Sequence, residues 1–102
     1  MEFKDEINDG VCVASVEGEL TIYSVNDFKQ GLEKVIKKST TLKLDLSDVS
    51  EIDTSCIQLL MQAKDSCQDN EKEFELSAVS PAVQEVIDIF GLGNHFTTVK
   101  AS

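Results

Sequence analysis

Leu42-Lys43-Leu44-Asp45-Leu46-Ser47-Asp48-Val49-Ser50-Glu51-Ile52-Asp53-Thr54-Ser55-Cys56 passes from an alternating stretch into a helical one, and its reading decides the fold. Leu42, Leu44 and Leu46 alternate with Lys43 and Asp45, the period of a strand whose leucine face packs on other apolar surface. Ser47-Asp48-Val49-Ser50-Glu51 reads as a loop. From Asp53-Thr54 onward, Ile57, Leu60, Met61, Ala63 and Cys67 recur at helical spacing. That predicts a helix ending near Asp69-Asn70, about 16 residues and ~24 Å long. Glu73-Phe74-Glu75-Leu76-Ser77-Ala78 alternates again. A strand, a helix and a strand in this order make a crossover unit, so strands 42–46 and 74–78 are expected to run parallel with a right-handed connection.

Working outward, Val11-Cys12-Val13-Ala14-Ser15-Val16 is a β-branched apolar run, Glu17-Gly18 a turn signal, and Glu19-Leu20-Thr21-Ile22 alternates once more, which reads as a hairpin. Ser24, or Asn26-Asp27, offers a cap for a first helix over 24–38. There Val25, Phe28, Leu32, Val35 and Ile36 share a face, and Lys34, Lys37 and Lys38 gather where cations complement the macrodipole. Ser80-Pro81 opens a third helix, with Val83, Val86, Ile87 and Phe90 on one face and Gly91 at its stop, where Leu92 can close the contact. His95-Phe96-Thr97-Thr98-Val99 is β-prone and reads as an edge strand or a segment laid against the body. The expected fold is one compact α/β domain over 1–102: a mixed four- to five-stranded sheet with amphipathic helices mainly on one face, leaving polar strand surface wet.

The chain has 102 residues, 19 acidic against 9 basic, a formal charge of −10, and every basic side chain is Lys. A chain this short buries about two-thirds of the surface its unfolded form exposes, enough for one modest core. The acidic excess removes the counterion-release drive for nucleic acid, and without Arg there is no fork for phosphate or guanine. Nucleic acid and anionic membranes are therefore not expected partners. No window reaches the ~18 to 20 apolar residues of a bilayer span, and Met1-Glu2-Phe3-Lys4-Asp5-Glu6 lacks a hydrophobic signal core, so direct membrane insertion is not expected and the chain reads as cytoplasmic. Cys12, Cys56 and Cys67 are odd in number, lack C-x-x-C spacing and share the chain with one His, which suggests buried free thiols rather than disulfides or zinc.

Enzymatic machinery is scarce: there is no Gly-rich phosphate loop, no paired His and no Gly-x-Ser-x-Gly elbow, and His95 reads as solvent-exposed. No cofactor or metal site is expected. What stands out is Thr54-Ser55, two hydroxyls where the C-terminal end of a parallel strand enters a helix, the usual functional edge of an α/β sheet. Two readings are open there. Asp53 or Thr54 can act as a helix cap worth about 1 kcal/mol. Alternatively Thr54 can carry a phosphate, whose charge of about −1.5 to −2 a helix N-terminus accommodates. Because Asp45, Asp48, Glu51 and Asp53 already make this edge negative, that charge would act outward on a docked partner.

Residues 44–55 resemble the hallmark of STAS domains, the anti-sigma factor antagonist family, in which a strand ending Asp-Leu-Ser leads to Asp-Ser/Thr-Ser/Thr/Ala-Gly at a helix start. Glu17-Gly18-Glu19-Leu20 resembles the family's Gly-Glu-Leu turn, and Ser80-Pro81-Ala82-Val83 with Phe90-Gly91-Leu92 resembles its Ser-Pro-x-Val helix and terminal Gly-Leu. The matches run in order from about Val11 to Val99. The resemblance implies a non-catalytic partner switch. Thr54, with Ser55 as the alternative, would be phosphorylated by a Ser/Thr protein kinase of the anti-sigma type, and a metal-dependent phosphatase of the PPM type would reset it. Asp48, Glu51, Asp53, Thr54, Ser55, Cys56 and Gln58 form the expected partner-binding set, with Gln62 and Asp65 further along the same helix phase.

One departure is Cys56, where the family has Gly: it puts bulk in the first helical turn, and its thiol is either packed or acidified by the helix N-terminus. A second function is a constitutive regulatory subunit docking on the ATPase of an ABC lipid-transport system, with Thr54 a contact only. A third, a receiver domain phosphorylated on Asp around Asp45, Asp48 and Asp53, would need ~120 residues for its full set of elements.

Overall fold

Asp9-Gly10 turns the chain first. Both residues have positive φ, 51° and 82°, the backbone a two-residue hairpin turn of the right twist requires. This turn joins β1 (Glu2–Asn8) to β2 (Val11–Leu20) in antiparallel register, Phe3 opposite Val16 and Ile7 opposite Cys12. The computed structural model describes residues 1–93 and 96. After β2 come α1 (Val25–Lys38), β3 (Thr41–Ile52), α2 (Thr54–Asp69), β4 (Glu73–Val79) and α3 (Pro81–Ile89). The sheet order is β1-β2-β3-β4, with β2, β3 and β4 parallel.

The expected hairpin about Glu17-Gly18 is not formed. Val11–Leu20 is one strand, and Gly18, at φ +103°, lies at an irregularity within it, where the register against β3 shifts on either side. A glycine signals a bulge as readily as a turn. The true hairpin partner, Glu2–Asn8, is a charged edge strand that buries only Phe3 and Ile7 in part. Ser47–Glu51 is likewise strand rather than loop: β3 continues to Ile52, with Gly18 opposite Val49 and Leu20 opposite Ile52. Asp45 Oδ1 accepts from the Ser47 N–H and hydroxyl at 2.8 and 2.6 Å, beside the register shifts that carry the strand through its polar stretch.

The three helices fall within a residue of their sequence-derived bounds. They cover one face of the sheet, where Cys12, Ala14, Val16, Leu42, Leu44, Leu46 and Leu76 are at most 1% exposed and pack with Phe28, Leu32, Val35, Ile57, Leu60, Val83 and Ile87. Val13 and Lys43 face solvent on the other side. Ser80 caps α3 by accepting from the Val83 N–H at 3.2 Å. At the other end Gly91, at φ +65°, lets Leu92 N–H reach the Ile87 carbonyl at 2.9 Å. Of the tail expected to pair or lie against the body, Phe96 is buried and its ring centroid lies 6.4 Å from that of Phe74; the rest of 95–99, His95 included, lies outside the described residues. Among the described residues no helix is long and apolar enough to cross a membrane.

Candidate functional site

β3 delivers Ile52 to the core beside Leu20, and the next residue, Asp53, leaves the sheet with extended backbone (φ −105°, ψ 175°). Its N–H donates to the Leu20 carbonyl at 2.9 Å, so the start of α2 is tied to the end of β2. Its carboxylate then caps α2. Oδ1 accepts from the Ser55 hydroxyl and, at 3.4 Å, from the Cys56 N–H. Burial acts to raise the Asp53 pKa, but the hydrogen bonds from the Ser55 hydroxyl and from the Cys56, Ile22 and Ser55 backbone outweigh it and hold the carboxyl below its ordinary range.

This division of labour separates the two hydroxyls. Ser55 is half-buried and donates to Asp53, whereas Thr54, the first residue of α2, is exposed and its hydroxyl makes no hydrogen bond among the described residues. The cap is therefore Asp53 and not Thr54. Asp48, Glu51 and Gln58 are exposed around it, as are Gln62 and Asp65 further along α2, while Ile57, Leu60 and Cys67 are core and Met61 packs half-buried against it.

Cys56 corrects its place in the partner-binding set and decides between the two readings of its thiol. Its side chain is wholly buried, so it is no contact for a partner, and the bulk that replaces glycine points inward rather than across the docking edge. Burial, together with the nearby Asp53 charge, prevails over the Ser55 hydrogen bond and pushes its pKa up, so the thiol stays protonated; the acidifying pull of a helix N-terminus does not win. The thiol donates instead to the Thr21 carbonyl at 3.6 Å. Cys12 and Cys67 are also buried, free and raised in pKa by burial.

Thr21 belongs to a tight loop that sequence reading treated as strand. Thr21 N–H donates to Ser24 Oγ at 3.0 Å, Ser24 Oγ donates to the Glu19 carbonyl at 2.9 Å, and Tyr23 N–H donates to Thr21 Oγ1 at 3.2 Å. Ser24 thus spends its hydroxyl on the loop and makes no side-chain cap for α1. The loop holds Ile22 and Tyr23 out in solvent, 66% and 95% exposed, beside the α2 start. A large apolar pair presented on a hydrogen-bonded turn is the usual material of a binding anchor. The available sequence signal was an Ile-Tyr pair hemmed by hydroxyl residues, with no helical or strand partner of its own.

The family model described as Mlab, STAS domain, matches residues 3–99. The chain belongs to the STAS domain family. Among solved structures, this STAS domain is similar to an anti-sigma factor antagonist from Mycobacterium paratuberculosis, 26% identical with a TM-score of 0.85 over 95% of this chain and 83% of that one. The anti-sigma factor antagonist SpoIIAA in its unphosphorylated form aligns at 22% identity and a TM-score of 0.81, covering 99% of this chain and 89% of that one. The Bacillus cell fate determinant SpoIIAA in its phosphorylated form aligns at 21% identity and 0.77, covering 99% and 92%. Those similarities match the four-stranded sheet and three helices of this STAS domain.

Proposed function

We propose that this STAS domain is a non-catalytic regulatory protein whose edge around Asp48, Glu51, Asp53 and Thr54 docks on a kinase or anti-sigma-type partner, and that phosphate on Thr54 ends the docking. The observation that carries the reading is the exposed hydroxyl of Thr54 at the first position of α2, without a hydrogen-bond partner among the described residues and beside a Ser55 already committed to Asp53. A partner Ser/Thr kinase would transfer the phosphate and a PPM-type phosphatase would remove it. Thr54 contributes only the acceptor oxygen.

The unphosphorylated edge offers Ile22 and Tyr23 as apolar contacts and exposed carboxylates on Glu19, Asp48 and Glu51 as partners for cations. A phosphate adds about −1.5 to −2 of charge at one point of that surface. The helix N-terminus tolerates it, so the fold persists, while a partner matched to the unmodified edge meets a bulky, hydrated dianion. Incubation with the cognate kinase and ATP, followed by mass-spectrometric localisation, is expected to place phosphate on Thr54. Phosphate on neither Thr54 nor Ser55, with partner binding retained, would replace the switch by constitutive docking.

A further inference from the structure

Away from the switch edge, α1 and α2 pack side by side and leave a trough of about 230 Å³ between them. Its apolar walls are Leu32 and Ile36 on α1 and Leu59 and Ala63 on α2. Leu32 and Ala63 are buried floor; Ile36 and Leu59 remain half-exposed, so the trough holds apolar surface that the fold itself does not cover.

The trough has a length and a charge. It runs along α1 from Lys29 to Lys37, about eight helical rises of 1.5 Å or ~12 Å. A partner helix, ~10 Å across, is wide for a hollow smaller than the ~300 Å³ at which drug-sized pockets begin. A single extended alkyl chain of about nine carbons matches the length, taking C–C bonds of ~1.5 Å at tetrahedral angles. Glu33 lines the middle of the rim, but the Lys37 end stands among Lys34, Lys37 and Lys38, the densest run of positive charge in a chain of net −10. Lys37 makes no ion pair or side-chain hydrogen bond among the described residues, so its ammonium is available to an incoming anion.

We propose that this trough is a binding site for a medium-chain alkyl carboxylate, with the carboxylate at Lys37 and the chain lying on Leu32, Ile36, Leu59 and Ala63 toward Lys29. The ligand class follows from the pairing of a narrow apolar channel with ammonium groups at its ends, Lys29 at one and Lys37 at the other, of which the Lys37 end, with Lys34 and Lys38 close in sequence, carries the denser positive charge. The site is separate from Thr54 and does not depend on phosphorylation.

Straight-chain carboxylates from hexanoate to tetradecanoate, each below its micelle concentration, titrated into the isotopically labelled protein with amide shifts as readout, test it. Saturable binding is expected, with shifts centred on residues 29–37 and 59–66. Affinity should rise about twofold per methylene, half the fully buried value because the trough is open on one side, and level off near ten carbons. Lys37→Glu should weaken decanoate about fivefold while changing 1-decanol less than twofold. Ala63→Met, which fills the floor, should abolish both with the remaining amide spectrum preserved; should that variant not fold, Lys37→Glu still decides. Non-saturable uptake, affinity that climbs past ten carbons without levelling, shifts centred elsewhere, or equal loss for decanoate and decanol would overturn the proposal.

Discussion

Asp53 joins three tasks in one residue: its carboxylate caps α2 and fixes the Ser55 hydroxyl, and its backbone N–H ties the start of α2 to the end of β2. Its pKa is held below the ordinary carboxylate value, so its contribution to stability is present above the unfolded pKa of about 3.9 and lost as pH falls through the lower folded value. Asp53→Ala, which removes the cap, is therefore expected to destabilise the protein by about 1 kcal/mol near pH 7, with the gap narrowing below about pH 4, as read by urea unfolding across pH. Cys56 makes a second residue-scale prediction. Because the thiol is wholly buried and protonated, a thiol reagent should label Cys12, Cys56 and Cys67 only at the rate of unfolding, and Cys56→Gly should cost on the order of 1 to 3 kcal/mol through lost burial and helix propensity. Although the sequence left the cap open between Asp53 and Thr54, the start of α2 was legible in it because cap chemistry is local. Ile22 and Tyr23 were not, because their exposure depends on a loop held by contacts from Asp53 and Cys56, more than 30 residues away.

At the level of elements, helices were readable from periodicity and caps, and strands less so. Ser80 with Pro81, and Gly91 after Phe90, punctuate α3 by local rules, and the structure uses both ends as written. β1 evaded notice because Glu2, Lys4, Asp5 and Glu6 mask its alternation; such charge on an edge strand discourages pairing with other chains. β3 was cut short at Leu46 because Ser47-Asp48 looks like a turn, yet Val49 and Ile52 continue the buried face after the irregularity. The docking of β1 onto α1 passes through Gly31, where an added Cβ would stand 3.0 Å from the Phe3 ring. Helix propensity favours alanine there by about 1 kcal/mol, so Gly31→Ala sets that gain against displacement of Phe3. Gly31→Leu removes the compromise: thermal unfolding should fall by several degrees, with amide-exchange protection lost first in 2–8. Gly10→Ala should also destabilise, since φ is +82° and the new Cβ would lie 2.9 Å from Thr40 Oγ1.

Over the whole molecule, charge is distributed unevenly. α1 carries Lys29, Lys34, Lys37 and Lys38 against Asp27 and Glu33, while the edge at the C-terminal ends of β2 and β3 carries Glu19, Asp48, Glu51 and Asp53 with no basic side chain among them. Four of the nineteen carboxylates thus face a partner that approaches Thr54 with no cation among them, and the missing Arg means that no internal guanidinium is available to clamp a phosphate placed there. A modified Thr54 should leave the amide spectrum outside 19–24 and 45–58 unchanged, because the added charge faces outward. Under the proposed switch, phosphate on Thr54 changes affinity and not fold. The dissociation constants of unmodified and Thr54-phosphorylated protein for the partner kinase, measured by calorimetry in one buffer, test it most directly. At least tenfold weaker binding of the phosphorylated form is expected, about 1.4 kcal/mol, with an intact fold; equal affinity of the two forms would contradict the switch.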